Sequence, residues 1–314
     1  SLENAENAFS AALKVDPTCP MCYWGLAYAN APFVNIVALP DDTPYPHFHN
    51  HMNKKGRQFL EKALEMPMIS PRERDYIKAM QIRFPVGEVD RLHQEWREFL
   101  YGAKMLALWK QEPGDLIAGC LAAEAFMNCM PWDYYAPLSE RPSTFGQTIT
   151  WHELMEATFP GASDYSFSVF TGLVSGTSVL DTISLKPETL EKRVRDHRIR
   201  PLARVTEHLL LKILEVDPAH PMATHLHIHL IEASIANEPR KALPSALKLA
   251  EVSHQWKSAH LVHMPSHIFI RVGEFQKGVA VNEAAHLMDV ETSQRCNHPY
   301  LPEHNLKVLI ASAS

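Results

Sequence analysis

The chain has 314 residues, of which 46% are hydrophobic and 21% charged, enough for one large or two ordinary folded domains with a real core. A formal charge of −6 and a pI near 6.3, without a basic stripe, exclude an electrostatic case for nucleic acid. No apolar run reaches membrane-spanning length, which leaves a soluble globular composition whose unusual feature is 18 histidines.

The first stretch, Ala5, Phe9 and Ala12 followed by Val15-Asp16-Pro17, has the small-aromatic-small spacing of a helix that crosses a neighbour closely and is ended by proline. Cys22-Tyr-Trp-Gly25-Leu-Ala-Tyr28 then reads as the first helix of the next pair, with Gly25 at the crossing point. Residue 1 is Ser and the sequence opens inside a helical pattern, so we expect a piece of a longer chain whose compartment the sequence does not specify. Residues 32–50 hold prolines and little periodicity and are expected to be a loop, with a helix over 51–66. His47, His49 and His51 are an accessory ligand source or, more simply, solvated loop histidines.

Ser70-Pro71-Arg72-Glu73 carries the signals of a helix start: an N-cap hydroxyl, proline at the first helical position and Glu three residues after the cap. Apolar spacing predicts helices over 90–109 and 115–130. Residues 131–187 break this rhythm with Pro, Gly, Ser and Thr, and are expected to be an irregular insertion acting as a lid or docking arm. A long charged helix is expected from Lys186-Pro187 to Val216, closed by Asp217-Pro218. After it come a histidine-bearing helix, a loop near Asn237-Glu-Pro239, a second helix through Ala242, Ala246 and Leu249, and a second histidine-bearing helix ending at Gly273. Gly278, Asn282 and Ala285 mark one more. The expected organisation is all-α: helical repeats over 1–130, the insertion over 131–187 and further repeats over 188–314, as one continuous solenoid of antiparallel helix pairs.

The five cysteines make no disulfide framework for a chain of this size. Cys19-Pro-Met-Cys22 is the one close pair and reads as packing or an incidental thiol pair rather than as a redox or half-zinc motif.

The histidine helices carry the chemistry. His225, His229 and Glu232 follow i, i+4, i+7, and His260, His263 and His267 follow i, i+3, i+7, so each trio forms one stripe on a helix, while His227 points elsewhere. Shifting the first segment by 38 residues lays His225 on His263 and His229 on His267. Adjacent helix axes lie about 8–10 Å apart, so side chains from both stripes can reach shared ions. Packing alone explains this bunching poorly, because clustered imidazoles repel when protonated and forfeit hydrogen bonds when unpaired.

An imidazole-dominated set with a single carboxylate suits copper, zinc or iron and argues against calcium or magnesium. Met222 and Met264 nearby, with the surplus of histidines, favour copper or zinc. His225, His229, His263 and His267 are the expected first ligands; His260 and Glu232 are further ligands or proton acceptors. Arg271, at the next inward position, either binds an anionic substrate or makes a structural ion pair. Pro265 lies inside the second helix and frees the Leu261 carbonyl.

Asp16-Pro-Thr-Cys-Pro-Met-Cys-Tyr-Trp-Gly25, Asn128-Cys-Met-Pro-Trp-Asp133, His225 to Ser234, Ala259 to Gly273 and His304-Asn305 resemble stretches of a largely uncharacterised family of bacterial-type tetratricopeptide-repeat proteins. The resemblance covers most of the chain, except the insertion and the doubled spelling His225, His227, His229. It implies the repeat fold and a shared histidine site, not a reaction. The expected function is a metal-dependent enzyme, oxidative with copper or iron and hydrolytic with zinc, acting on a small molecule in a concave groove. The alternatives are a scaffold that takes a protein or peptide in that groove, and metal storage or delivery.

Overall fold

The computed structural model describes residues 2–32, 45–86, 91–129, 134–136, 198–199, 201–234, 238–294 and 302–313. It is all-α apart from one two-residue antiparallel pair, Tyr135–Ala136 with Arg198–Ile199. No described helix is long and apolar enough to cross a membrane. The described residues fall into two compact units, an N-terminal one within 2–129 and a C-terminal one made of 134–136 and 198–313.

In the N-terminal unit, helices α1 (Leu2–Val15), α2 (Pro20–Tyr28), α3 (Tyr45–Glu65), α4 (Pro71–Gln81), α5 (Arg91–Gln111) and α6 (Leu116–Asn128) pack each on the next. The start of α4 is a complete capping box: the Ser70 hydroxyl accepts from the Glu73 N–H, and the Glu73 carboxylate accepts from the Ser70 N–H. Asp115 caps α6 and also accepts from the Tyr76 hydroxyl at 2.6 Å and from Arg72. Close helix crossing depends on missing side chains, since a Cβ on Gly25 would come within 2.3 Å of the Phe9 ring and one on Gly56 within 2.2 Å of Phe84. The core between these helices is built from Leu26, Leu60, Ile77, Met80, Trp96 and Phe126.

That core also encloses ions. Arg83 and Glu98 are fully buried and joined by two bonds, Nε to Oε1 at 2.9 Å and Nη2 to Oε2 at 2.7 Å. Gln94 and Asn128 donate to the same carboxylate, both at 3.1 Å, and the guanidinium lies over the Tyr101 ring.

The C-terminal unit contains α7 (Pro201–Val216), α8 (Pro221–Glu232), a 3-10 turn (Glu238–Ala242), α9 (Leu243–Val252), a second 3-10 turn (Ser253–Trp256), α10 (Ala259–His263), α11 (Pro265–Val272), α12 (Phe275–Gln294) and α13 (Pro302–Ala313). Ile228, Ile231, Ala246, Leu249, Met264, Ile268 and Phe269 form one apolar cluster beneath α8, α9 and α11. Each such side chain taken from water contributes on the order of 1.5–3 kcal/mol, less for alanine. Gly273 ends α11 with φ of +85°, a left-handed cap that a residue with a Cβ adopts only with strain.

Several expectations are corrected. Residues 45–50, expected in a loop, are the first turns of α3, with Pro46 at a position whose missing N–H costs nothing. The charged helix expected from 186 is not continuous, because Arg198–Ile199 is extended and α7 begins at Pro201. Glu238 and Pro239, expected in a loop, open a 3-10 turn that runs to Ala242. The second histidine helix is two helices, α10 and α11. Cys19 and Cys22 are joined as a disulfide rather than left as thiols. The expected insertion over 131–187 lies outside the described residues except for 134–136, and the side chains of His47, His49 and His51 are likewise outside them.

Candidate metal centre

Two caps and a break place the histidines. The His220 imidazole caps α8 by accepting from the Ala223 N–H, and Pro221 takes the first helical position, so His225, His229 and Glu232 emerge on one face. His227 turns into the core, where Nδ1 lies 2.8 Å from the Ser245 hydroxyl. Ser258 caps α10, which carries His260 and His263. Pro265 then interrupts the ladder: the His267 N–H bonds to the Met264 carbonyl, and the His263 carbonyl is satisfied by the Ser266 hydroxyl at 2.7 Å.

All six predicted residues of the two stripes come together within the C-terminal unit, and His304 from α13 joins them. They sort into two triads, His225, His229, His260 and His263, His267, His304; within each triad one ligand nitrogen per residue lies within 4.8 Å of the other two. Either triad could hold a metal ion. In the first, His225 Nε2 lies 3.0 Å from His260 Nε2; in the second, His263 Nε2 lies 2.8 Å and His304 Nε2 3.3 Å from His267 Nε2.

Hydrogen bonds behind the second triad fix which nitrogen faces the cluster. The Asn282 amide donates to the Gly278 carbonyl at 2.8 Å, so its oxygen is left to accept from His263 Nδ1 at 2.7 Å. Glu232 Oε1 lies 2.5 Å from His267 Nδ1. In the neutral imidazoles both Nδ1 atoms therefore carry the proton, and both Nε2 atoms present lone pairs to each other. Two lone pairs at 2.8 Å repel unless a cation lies between them. This is the arrangement by which carboxylate and amide partners orient metal-ligating imidazoles.

A proton on His263 is a poor candidate for that cation. Burial, reinforced by the neighbouring His267, pushes His263 down to about 3 against the pull of Asn282. Burial and the surrounding imidazoles hold His225 and His260 well below the ordinary histidine range. His229 is lowered by burial, with Glu232 opposing, and His304 by burial and by His267. For Glu232, burial would raise the carboxyl, but the facing His229 and His267 imidazoles outweigh it and hold it below the usual carboxylate range. Five imidazoles, those of His225, His229, His260, His263 and His304, are thus held below the ordinary histidine range beside one ionised carboxylate.

Of the two roles expected for Glu232, ligand or proton acceptor, the geometry gives the second: its carboxylate stands behind His267 and accepts from Nδ1, with the other oxygen 3.8 Å from His229 Nδ1. Arg271 makes no ion pair among the described residues; its guanidinium donates to the Glu232 and Ser234 carbonyls and so caps α8 and ties it to α11. His304 and Asn282 were missed as site residues. Asn282 was noted only for its place in a helix pattern, and His304 only within the resemblance, although it follows His267 by nearly the same interval that separates the two stripes. Compared with known proteins, the chain matches no protein family and no curated protein.

Proposed function

We propose that the histidine cluster is a transition-metal centre and that the chain is a metal-dependent enzyme built on a tetratricopeptide-like solenoid. The observation that carries the reading is the pair of lone-pair Nε2 atoms of His263 and His267, 2.8 Å apart, each locked in that tautomer from behind. Imidazole donors with no thiolate and no carboxylate in either triad favour copper or zinc, with iron possible. Three protein ligands per ion leave a coordination position for a reactant. Copper or iron would support oxidative chemistry, zinc hydrolysis by a metal-bound water. The recurring approach of an aromatic ring to a glycine, Phe9 on Gly25, Phe84 on Gly56 and Phe126 on Gly102, supports the repeat architecture.

Metal analysis of the purified protein tests the reading. Stoichiometric copper, zinc or iron, lost in the His263→Ala, His267→Ala double variant with helical content retained, is the expected result. Metal-free wild-type protein that takes up none of the three on dialysis would sink the proposal.

A scaffold role is the second reading, favoured by exposed apolar side chains along α12 and α13: Leu287 is 64% and Ile310 66% exposed, with Val290 and Leu306 partly so. It expects partner binding that survives loss of every cluster histidine.

A further inference from the structure

Given a histidine metal centre, its nuclearity and its small-molecule ligand follow from how the two triads are arranged and charged. The triads are contiguous. His260 and His263 are neighbours on α10 with ring centroids 6.3 Å apart, and His229 and His267 face each other across α8 and α11 at 6.5 Å. Each triad has its own close nitrogen pair, His225 with His260 and His263 with His267, so neither triad is completed by borrowing from the other. Glu232 is bonded to His267 of one triad, and its other oxygen lies 3.8 Å from His229 of the other.

The charge count is uneven. Two divalent ions bring four positive charges into a site whose two triads are imidazoles and which has, among the described residues, one carboxylate, Glu232, already bonded to His267 through one oxygen. Buried charge persists only when it is paired. Each ion, with three nitrogens, also retains an open position. A small anion shared between the ions answers both demands at once, lowering the net charge and completing both coordination shells. His304, the most solvent-open of the six, closes the second triad from α13 and marks the side from which such an anion enters.

We infer that the two triads hold two ions at the same time as one dinuclear centre, and that in the divalent state this centre takes up one small monoanion between the ions, hydroxide in plain water. The inference rests on the metal reading above but goes beyond it, since a single ion would satisfy that reading. It also separates the roles of the outer histidines: loss of His304 should cripple the second ion and spare the first, and loss of His225 should do the reverse.

The test loads the full, metal-stripped chain with Cu(II) by equilibrium dialysis, counts bound copper, and then titrates with azide while following its charge-transfer absorption. Two copper ions per chain and one azide per two ions are expected. His304→Ala should keep one ion at near wild-type affinity and weaken the other at least tenfold, and the remaining ion should no longer share azide with a partner. One ion in the wild type overturns the dinuclear inference and leaves the metal reading standing; none overturns both. Two ions that each bind their own azide overturn the shared anion. Because wild-type stoichiometry decides the main point, a variant that fails to fold does not shelter the inference.

Discussion

Arg83 and Glu98 are as deeply buried in the N-terminal unit as His263 is in the C-terminal one, but the surroundings differ in kind. Around Glu98 every contact is complementary: a bidentate guanidinium and two amide donors meet one carboxylate. Around His263 and His267 like meets like, with lone-pair nitrogens closest to one another and the protonated nitrogens turned outward to Asn282 and Glu232. A buried polar cluster whose opposite charges pair with one another is structural. One whose donors converge on a common point, and whose supports hold them there, is organised around a cation.

The largest effect should come from breaking the charge-paired cluster. Glu98→Ala leaves a fully buried guanidinium without its carboxylate and should cost about 3–5 kcal/mol in urea unfolding, with metal content per folded chain unchanged. The matching change at the other cluster should act in the opposite way. His263→Ala removes one of the facing lone pairs, so the metal-stripped protein should lose less stability than Glu98→Ala costs. What it should lose is the metal response: in wild type, free copper or zinc at about a hundred times its dissociation constant adds roughly 2.7 kcal/mol, and in the variant that increment should largely vanish.

Acid should sharpen the contrast. Histidines whose pKa is depressed by folding bind protons more readily when unfolded, so their contribution to stability is complete above about 6.5 and is lost as pH falls through the folded values, about 3 for His263. The metal-stripped protein should therefore lose stability from about pH 6.5 downward, and metal should hold it up until protons compete for the nitrogens. A pH-independent midpoint between 6.5 and 4 in the stripped protein would contradict buried, neutral His225, His260 and His263. Asn282→Ala, which removes the acceptor behind His263, should lower metal affinity about 10–100-fold with only a modest change in stability. Smallest of all, Ser70→Ala should cost about 1 kcal/mol through the lost cap of α4 and leave metal binding untouched.

How much of this could be read from the residues depends on the range of the interaction. The Ser70 capping box, the stop at Gly273 and the two histidine stripes are local patterns, set within a few residues by helix geometry, and they stand in the structure as read. His227 was separable from its neighbours for the same reason. The break at Met264 was half legible: proline at 265 signalled a lost hydrogen bond, but not that Ser266 would take over the His263 carbonyl. What escaped is long-range. A lone His304 has no stripe to announce it, and only the packing of α13 beside α11 and α12 brings it to His267. Glu232 fitted a ligand spacing yet serves its neighbours instead, because a carboxylate 2.5 Å from an imidazole Nδ1 is already engaged. Spacing places a side chain on a face; it does not say which of its partners will claim it.

Diffraction from crystals grown with copper, measured on either side of the metal absorption edge, tests the central claim most directly. Anomalous density bounded by the Nε2 atoms of His263, His267 and His304, and again within the triad of His225, His229 and His260, is the expected result. Featureless maps at both triads, with ordered water bridging the imidazoles, would contradict it.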